Sequence, residues 1–556
     1  VKKAAAAVLA LTLLPVLLLW LVSHRRYNVI LITVDTLRAD YLSAYNPDAA
    51  STPNIDRIAR TSVLFSQSRS TIPITLAAHA SILTSHGPKE LGLFNNGDVF
   101  DHRFPLLSEL LEKEGYHTAA FVSLGVLKSG FGLNKGFGEY EDDFKKCNGR
   151  YYKFASEVNH HALPWMQKEQ DHPFFAWIHY SDPHGPYVTA DAPPETEAII
   201  NGTLTERFCL AKREKYRLDF VAQPGTNTVE FRAIIDPRVR QKDRDEASER
   251  YLDKNITTKR GSGIEFRFGQ GFQDIKLPSG PEAHYFEGQA ILSVINSTSQ
   301  PVRVQARFSG GARQLRSEIL ANYASEVRYV DRHIGELWDK LGELGLQDKT
   351  ILVLTADHGE GLYTHGSLGH VDCLYDEVAH VPLIIHYPWL GHRGTVASDP
   401  VCHLDLVPTI LDLLQMSTRN LGLQGQSLRR VVSWSPIDKL LSTAPGRERI
   451  FVSTFTPEAP WNSFAMVDGT WKLIYTPERT RRQWEAYDLS RDPLERRDIA
   501  GFDNARFESE QFSGLRKILV DYSQEAEQAH DHKSNPRLDE EQKKMLRDLG
   551  YVAGHE

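Results

Sequence analysis

The chain has little cysteine: Cys147, Cys209, Cys373 and Cys402 are the four in 556 residues. None forms a CxxC pair, which excludes a zinc ribbon or a thioredoxin-like redox centre. It also lacks a basic excess. Lys and Arg number 64 against 72 Asp and Glu, a net charge of −8. With no positive field to neutralise phosphates, a nucleic-acid partner is not expected. Internal repeats and low-complexity tracts are absent, and 41% hydrophobic with 24% charged residues is globular composition, not disorder. Long apolar runs are scarce too. The one example, Ala4 to Val22, is interrupted only by Thr12 and Pro15 and flanked by Lys2, Lys3, His24, Arg25 and Arg26. At about 1.5 Å per residue it reaches about 28 Å, one hydrocarbon thickness. No small-x-small cleavage site ends it, so residues 1–26 are expected to be an uncleaved transmembrane anchor and not a signal peptide. The bulk would then be extracytoplasmic, periplasmic or extracellular.

What is present alternates. Asn28–Val34 (NVILITV), His117–Val122 (HTAAFV), Phe174–His179 (FFAWIH), Thr350–Leu354 (TILVL) and Val381–Ile385 (VPLII) are short apolar, β-branched runs separated by helical stretches. That rhythm predicts an α/β fold with a mostly parallel central sheet flanked by helices. Residues 197–312 break it. Tyr216–Ala222, Thr228–Ile235, Gly263–Phe268, Ala290–Ile295 and Pro301–Phe308 alternate with period two between Gly, Pro, Asn and Asp. They read as an inserted antiparallel β-domain, either a packing module or a surface that recognises substrate or glycan. The catalytic domain would thus be split, 27–196 and 313–445. A small C-terminal sheet over 446–535 and a charged helical tail over 536–556 would complete the chain.

In open α/β sheets ligands bind beyond the carboxyl ends of the strands. Asp35 follows the first strand, Asp182-Pro183-His184 the third, and Asp357-His358 the fourth. One Asp at a strand end is ordinarily a helix cap; three, two of them accompanied by histidine, point to a metal. Oxygen and nitrogen donors without thiolate suit zinc first, with calcium, manganese or magnesium as alternatives. Leu76–Leu83 reads as a helix start with Thr75 at its head, where backbone N–H groups attract an anion. A threonine hydroxyl there, beside a divalent cation, could attack phosphorus or sulfur.

Seven blocks, VDTLRAD (34–40), TPNIDRIA (52–59), HASILTS with HG (79–87), SDPHGPY (181–187), TADHGEGL (355–362), HVPLIIH (380–386) and HLDLVPTILDLL (403–414), together resemble the sulfatase family of the alkaline phosphatase superfamily. YDLSRDPLE (487–495) resembles that family's C-terminal sheet. The resemblance implies an alkaline-phosphatase-like fold, one or two divalent metals held by Asp35, Asp357, His358, Thr75 and Asp182, and an ester substrate, glycan- or lipid-linked. The chain departs from the family pattern Cys/Ser-x-Pro-x-Arg. Aligning on Leu83-Thr84 puts Thr75 at the nucleophile position and His79 at the arginine position. A rival register, Thr71-x-Pro73-x-Thr75, makes Thr71 the nucleophile. Twelve residues after His358, where sulfatases usually have lysine, stands His370. Thr75 as nucleophile resembles the nucleotide pyrophosphatase/phosphodiesterase branch, and His184 with His370 resembles the metal- or phosphate-contacting histidines of phosphoethanolamine transferases. Asn96 matches a position that donates to a substrate oxygen; His365 and His403 are weaker candidates. These departures predict a metal-dependent hydrolase or transferase of phosphate or phosphonate esters working through a covalent Thr75 intermediate. The alternatives are a sulfatase acting without formylglycine, and a non-catalytic binding protein on the same fold.

Overall fold

A computed structural model describes residues 26–49, 51–144, 147, 150–189, 196–208, 216–233, 249–253, 264–270, 272–276, 282–287, 289–308, 310–312, 316–388, 394–432, 447–455, 461–531, 538–549 and 551. The central sheet has eight strands: β1 (Asn28–Val34), β2 (Val63–Phe65), β3 (His117–Phe121), β4 (Glu139–Glu141), β5 (Phe174–Tyr180), β6 (Thr350–Ala356), β7 (Leu383–His386) and β8 (Thr395–Ala397). Their order is β8-β2-β7-β6-β1-β5-β3-β4. The block from β6 to β4 is parallel. The last of the expected series, β7, instead runs antiparallel to β6 and β2. Every residue of β1, β5 and β6 is buried, as an apolar strand covered on both faces requires.

Helices cover both faces. On one side lie α1 (Thr75–Thr84) and the apolar α4 (Leu406–Leu413). On the other lie α2 (Ala155–Lys168) and the 28-residue α3 (Arg316–Glu343), whose Tyr323, Val327, Val330, Ile334, Leu337 and Leu341 keep helical spacing and are fully buried. Between β5 and α3 the described residues of the expected insert form antiparallel sheets of five, four and two strands around their own core. The segments entering and leaving it are pinned together, since the Val188 N–H donates to the Glu326 carboxylate in α3. Arg449–Thr454, Ser463–Asp468, Trp471–Tyr475 and Trp484–Asp488 make a four-stranded antiparallel sheet. It is covered by α5 (Glu510–Asp531), and α6 (Glu540–Leu549) follows.

The expectation of a membrane-anchored protein is corrected: among the described residues, no helix is long and apolar enough to cross a membrane. Ala4–Val22, on which the anchor rested, lies outside the described residues.

Candidate active site

Parallel pairing sets the site. Val34 of β1 is in register with Ala356 of β6 and with Tyr180 of β5. The next residues, Asp35 and Asp357, therefore leave adjacent strand ends side by side. Both are fully buried, as is His358. One carboxylate oxygen from each Asp and one imidazole nitrogen of His358 lie within 4.8 Å of one another. The Thr36 N–H (3.2 Å) and His358 N–H (2.8 Å) both donate to Asp357 Oδ1, leaving Oδ2 turned to the cluster. His358 Nδ1 donates to the Gly359 carbonyl at 3.0 Å, so the lone pair of the neutral ring is on Nε2, 3.4 Å from Asp357 Oδ2 and 4.0 Å from Asp35 Oδ1. Gly359 is required here: a Cβ would stand 2.1 Å from the Glu377 carbonyl oxygen.

The turn after β1 is strained. Thr36 holds φ at 56°, an outlier for a β-branched residue that costs about 1–3 kcal/mol. Its hydroxyl donates to the Asp35 carbonyl, and the buried Tyr323 hydroxyl of α3 donates to its own carbonyl at 2.7 Å.

Thr75 is the first residue of α1, and its buried hydroxyl makes no hydrogen bond of normal geometry. The Asn96 side chain accepts from the Leu76 N–H at 3.0 Å with Oδ1, which leaves its buried Nδ2 unpartnered. Thr71, the rival nucleophile, also has a buried hydroxyl without a partner, but it lies before the helix, its carbonyl accepting from the Ser453 N–H.

His79 does not face outward as an arginine replacement would. Its Nδ1 donates to the Thr75 carbonyl at 2.7 Å, and its Nε2 accepts from Thr33 Oγ1 at 3.0 Å, which itself accepts from Trp177 Nε1. Burial, then the neighbouring His179, hold His79 neutral, well below the usual imidazole range. The ring lies 3.7 Å from Asp357 Oδ2 and so spans from α1 to the carboxylates.

His179, in β5, escaped the sequence reading because an imidazole inside FFAWIHY looks like core. Its Nδ1 bonds Ser123 Oγ at 2.8 Å and its Nε2 stands 3.7 Å from Asp35 Oδ2. Its register partner Thr33, one residue before Val34, was the available signal. Burial raises Asp35, but His179, His184 and His358 outweigh it and hold this carboxylate below its ordinary range. Burial and the adjacent Asp35 push Asp357 well above it.

His370 donates through Nδ1 to Glu360 at 3.1 Å, packs on His358 with ring centroids 4.3 Å apart, and leaves Nε2 buried without a partner. Burial opposes its charge, but Glu360 raises its pKa above the usual value. His184 Nδ1 donates to the Gly185 carbonyl, and its Nε2 meets the Tyr551 hydroxyl at 2.7 Å. Asp182 is not brought into the cluster. Its Oδ1 accepts from the Ala155 N–H at the head of α2, and burial pushes it up to about 7. His365 has both nitrogens engaged, by Glu377 and the Glu495 carbonyl. His403 contacts the Ala356 carbonyl through Nε2 and leaves Nδ1 unpartnered.

Buried polar atoms are normally paired. Here Asp35 Oδ1 and Oδ2, Asp357 Oδ2, His358 Nε2, Thr75 Oγ1, Asn96 Nδ2 and His370 Nε2 are not. Two carboxylates and an imidazole lone pair fit a hard or borderline divalent cation; an unpartnered amide N–H and imidazole nitrogen fit a charged oxygen beside it.

A strand-end carboxylate pair and an imidazole on this kind of sheet form a candidate divalent-cation site. The comparisons give the class: the sulfatase family model matches residues 27–416, and that of the N-sulphoglucosamine sulphohydrolase C-terminal region matches 366–523. The chain belongs to the sulfatase family. It is 23% identical over 493 residues to the N-acetylglucosamine-6-O-sulfatase of Bacteroides thetaiotaomicron, covering 86% of this chain and 83% of that one. It is also 23% identical to the choline-sulfatase of Rhizobium meliloti, covering 85% and 82%. Among solved structures it shares the fold of the Agrobacterium radiobacter phosphonate monoester hydrolase, with a TM-score of 0.59, 18% identity and coverage of 90% and 96%.

Proposed function

We propose that the protein hydrolyses phosphate or phosphonate esters, or transfers their phosphoryl or phosphonyl group, with Thr75 as nucleophile. The observation that carries this reading is the buried, unpaired Thr75 hydroxyl at the head of a ten-residue helix whose first carbonyl accepts from His79, the ring that stands 3.7 Å from Asp357 Oδ2. A divalent cation held by Asp35, Asp357 and His358, zinc by preference, would supply Lewis acidity that makes a nearby hydroxyl more acidic and offsets charge on the reacting group. Thr75, its proton lost to water, attacks phosphorus and forms a phosphothreonine while the ester P–O bond breaks. His370 Nε2 gives its proton to the leaving oxygen; water then attacks phosphorus, returns a proton to His370 and frees Thr75. Asn96 Nδ2 and the N-terminal amides of α1 meet the charged equatorial oxygens. His79 is a positioning residue, both of its nitrogens being committed.

Sulfate esters are the second reading, favoured by the sulfatase names of the relatives. The test is a panel of aryl phosphonate monoesters, phosphate diesters and sulfates turned over by metal-loaded protein, with mass analysis of a trapped adduct. A modified Thr75 peptide and loss of at least about a thousandfold in turnover in Thr75→Ala are expected, since removal of a covalent nucleophile elsewhere costs up to about a million-fold. Undiminished turnover in Thr75→Ala overturns the reading, and faster cleavage of the sulfate selects the alternative.

A further inference from the structure

The tail beyond residue 523 lies outside both family models, yet it reaches the reaction centre. α6 is anchored by Met545 and Leu546, each 1% exposed in a helix otherwise mostly polar. Two glycines make room for them. A Cβ on Gly125 would stand 2.5 Å from Met545 Sδ, and one on Gly97 would stand 3.3 Å from Leu546 Cδ1. Gly97 directly follows Asn96, so the helix lies on the loop that carries an unpartnered donor into the site. Lys128 pairs with Glu541 at 3.2 Å on the outer edge. The Tyr551 N–H returns to the Leu546 carbonyl at 2.8 Å, closing the end of the helix and turning the chain inward. Its phenol then bonds His184 Nε2 at 2.7 Å, the His184 ring stands 5.8 Å from that of His370, which packs on His358, and burial with the charge of Asp35 holds the phenol well above its usual pKa. His184 already donates through Nδ1 to the Gly185 carbonyl, so its Nε2 is the acceptor and Tyr551 the donor.

From this geometry we infer that Tyr551 is a substrate-contacting residue: presented by the docked α6 and held ready by His184, its phenol walls the pocket beside His370 and, when substrate enters, turns its O–H from His184 Nε2 to the ester's charged oxygen. The inference rests on the reading of Thr75, Asp35 and Asp357 as the reaction centre. The chemistry fits. A neutral phenol whose O–H can exchange the His184 nitrogen for a phosphoryl or sulfuryl oxygen meets that oxygen without adding negative charge, and the ring gives a departing group an aromatic face. Met545 and Leu546 do no chemistry; they decide where the phenol stands.

The test uses the full chain, metal-loaded, as wild type, Tyr551→Phe, Tyr551→Ala and Met545→Asp. Affinity for inorganic phosphate and for sulfate is read by calorimetry. Turnover is read on two aryl esters that differ in leaving-group bulk, with thermal melting as the fold control. Loss of one hydrogen bond to a charged group predicts about tenfold weaker oxyanion binding in Tyr551→Phe, with KM rising more than kcat falls. Tyr551→Ala is expected to shift the kcat/KM ratio at least fivefold toward the bulkier ester, about 1 kcal/mol of discrimination. Met545→Asp, with its lesion away from the reacting atoms, should reproduce that shift. Binding and selectivity within twofold of wild type in both Tyr551 variants overturn the inference, as does failure of wild type to bind either oxyanion. The two readings separate: a Thr75→Ala protein that stays active refutes the nucleophile without touching a Tyr551 effect on affinity, and unchanged affinity in Tyr551→Phe refutes the wall whatever Thr75 does.

Discussion

Asp357→Asn should make the metal-free protein more stable and the metal-loaded protein less so. Asp35 and Asp357 leave neighbouring strands with ligand oxygens within 4.8 Å, both side chains at 0% exposure. At an effective dielectric of about 20, two unit charges at that distance repel by about 3.5 kcal/mol. Protonating one carboxylate relieves part of this, so at pH 8 the penalty removed by the amide is about 1–3 kcal/mol. The substitution keeps the fold's contacts: Oδ1 of asparagine can still accept from the Thr36 and His358 N–H groups that Asp357 Oδ1 now serves. The assay is thermal melting in excess chelator and again in excess zinc. In chelator the variant should melt a few degrees above wild type, since each kcal/mol moves Tm by about 2–4 °C in domains of 150–250 residues. In metal at a thousand times Kd, wild type gains about 4 kcal/mol while the variant gains little, and the order reverses. A variant that melts below wild type in chelator, yet gains as much from zinc, would refute both the repulsion and the assignment of this pair to a cation.

Three further outcomes are expected. Lys472, fully buried, holds Asp376 at 2.7 Å and Glu495 at 2.8 Å, tying the C-terminal sheet to the helix that backs Gly359; Lys472→Met should cost about 3–5 kcal/mol in denaturant unfolding because two buried carboxylates lose a partner. Burial, against the pull of Lys472, pushes Glu495 up to about 7 from the usual 4.5. A carboxyl raised in the folded state contributes stability that is fully present below pH 4.5 and lost as pH rises to about 7; wild type should therefore lose up to about 3 kcal/mol relative to Glu495→Gln across that window, and parallel curves would contradict it. Tyr323→Phe removes the hydroxyl that restrains the strained Thr36 turn; turnover should fall about tenfold with fold stability reduced by only about 1–2 kcal/mol, measured together on one preparation.

The sheet and its reactive rim were legible because they follow from local rules. A run such as TILVLTA can only be a strand covered on both sides, and Asp357-His358 must then emerge at its carboxyl end. Asp35 follows by the same logic, and the sulfatase resemblance supplied the order. Residues whose role depends on long-range packing were less legible. His79 looked like an arginine substitute; its spacing of four from Thr75 turns it back onto that residue's carbonyl. Asp182 looked like a ligand, but the head of α2 takes its Oδ1. His179 was hidden by the apolarity of its neighbours. Tyr551 stands 367 residues from His184 in sequence, and no periodicity reports a contact of that range. The antiparallel direction of β7 was equally out of reach, because an apolar run carries no sign of which way it runs.

The clasp between Val188 and Glu326 has an architectural consequence. The described strands of the insert, between residues 196 and 312, pack around a core of their own, so changes there leave the gap that β5 and α3 bridge unaltered. Enlarging such a loop adds only about 0.6 kcal/mol of closure entropy per doubling. Variation there leaves the register of β1 with β5 and β6, and so the carboxylate rim, undisturbed.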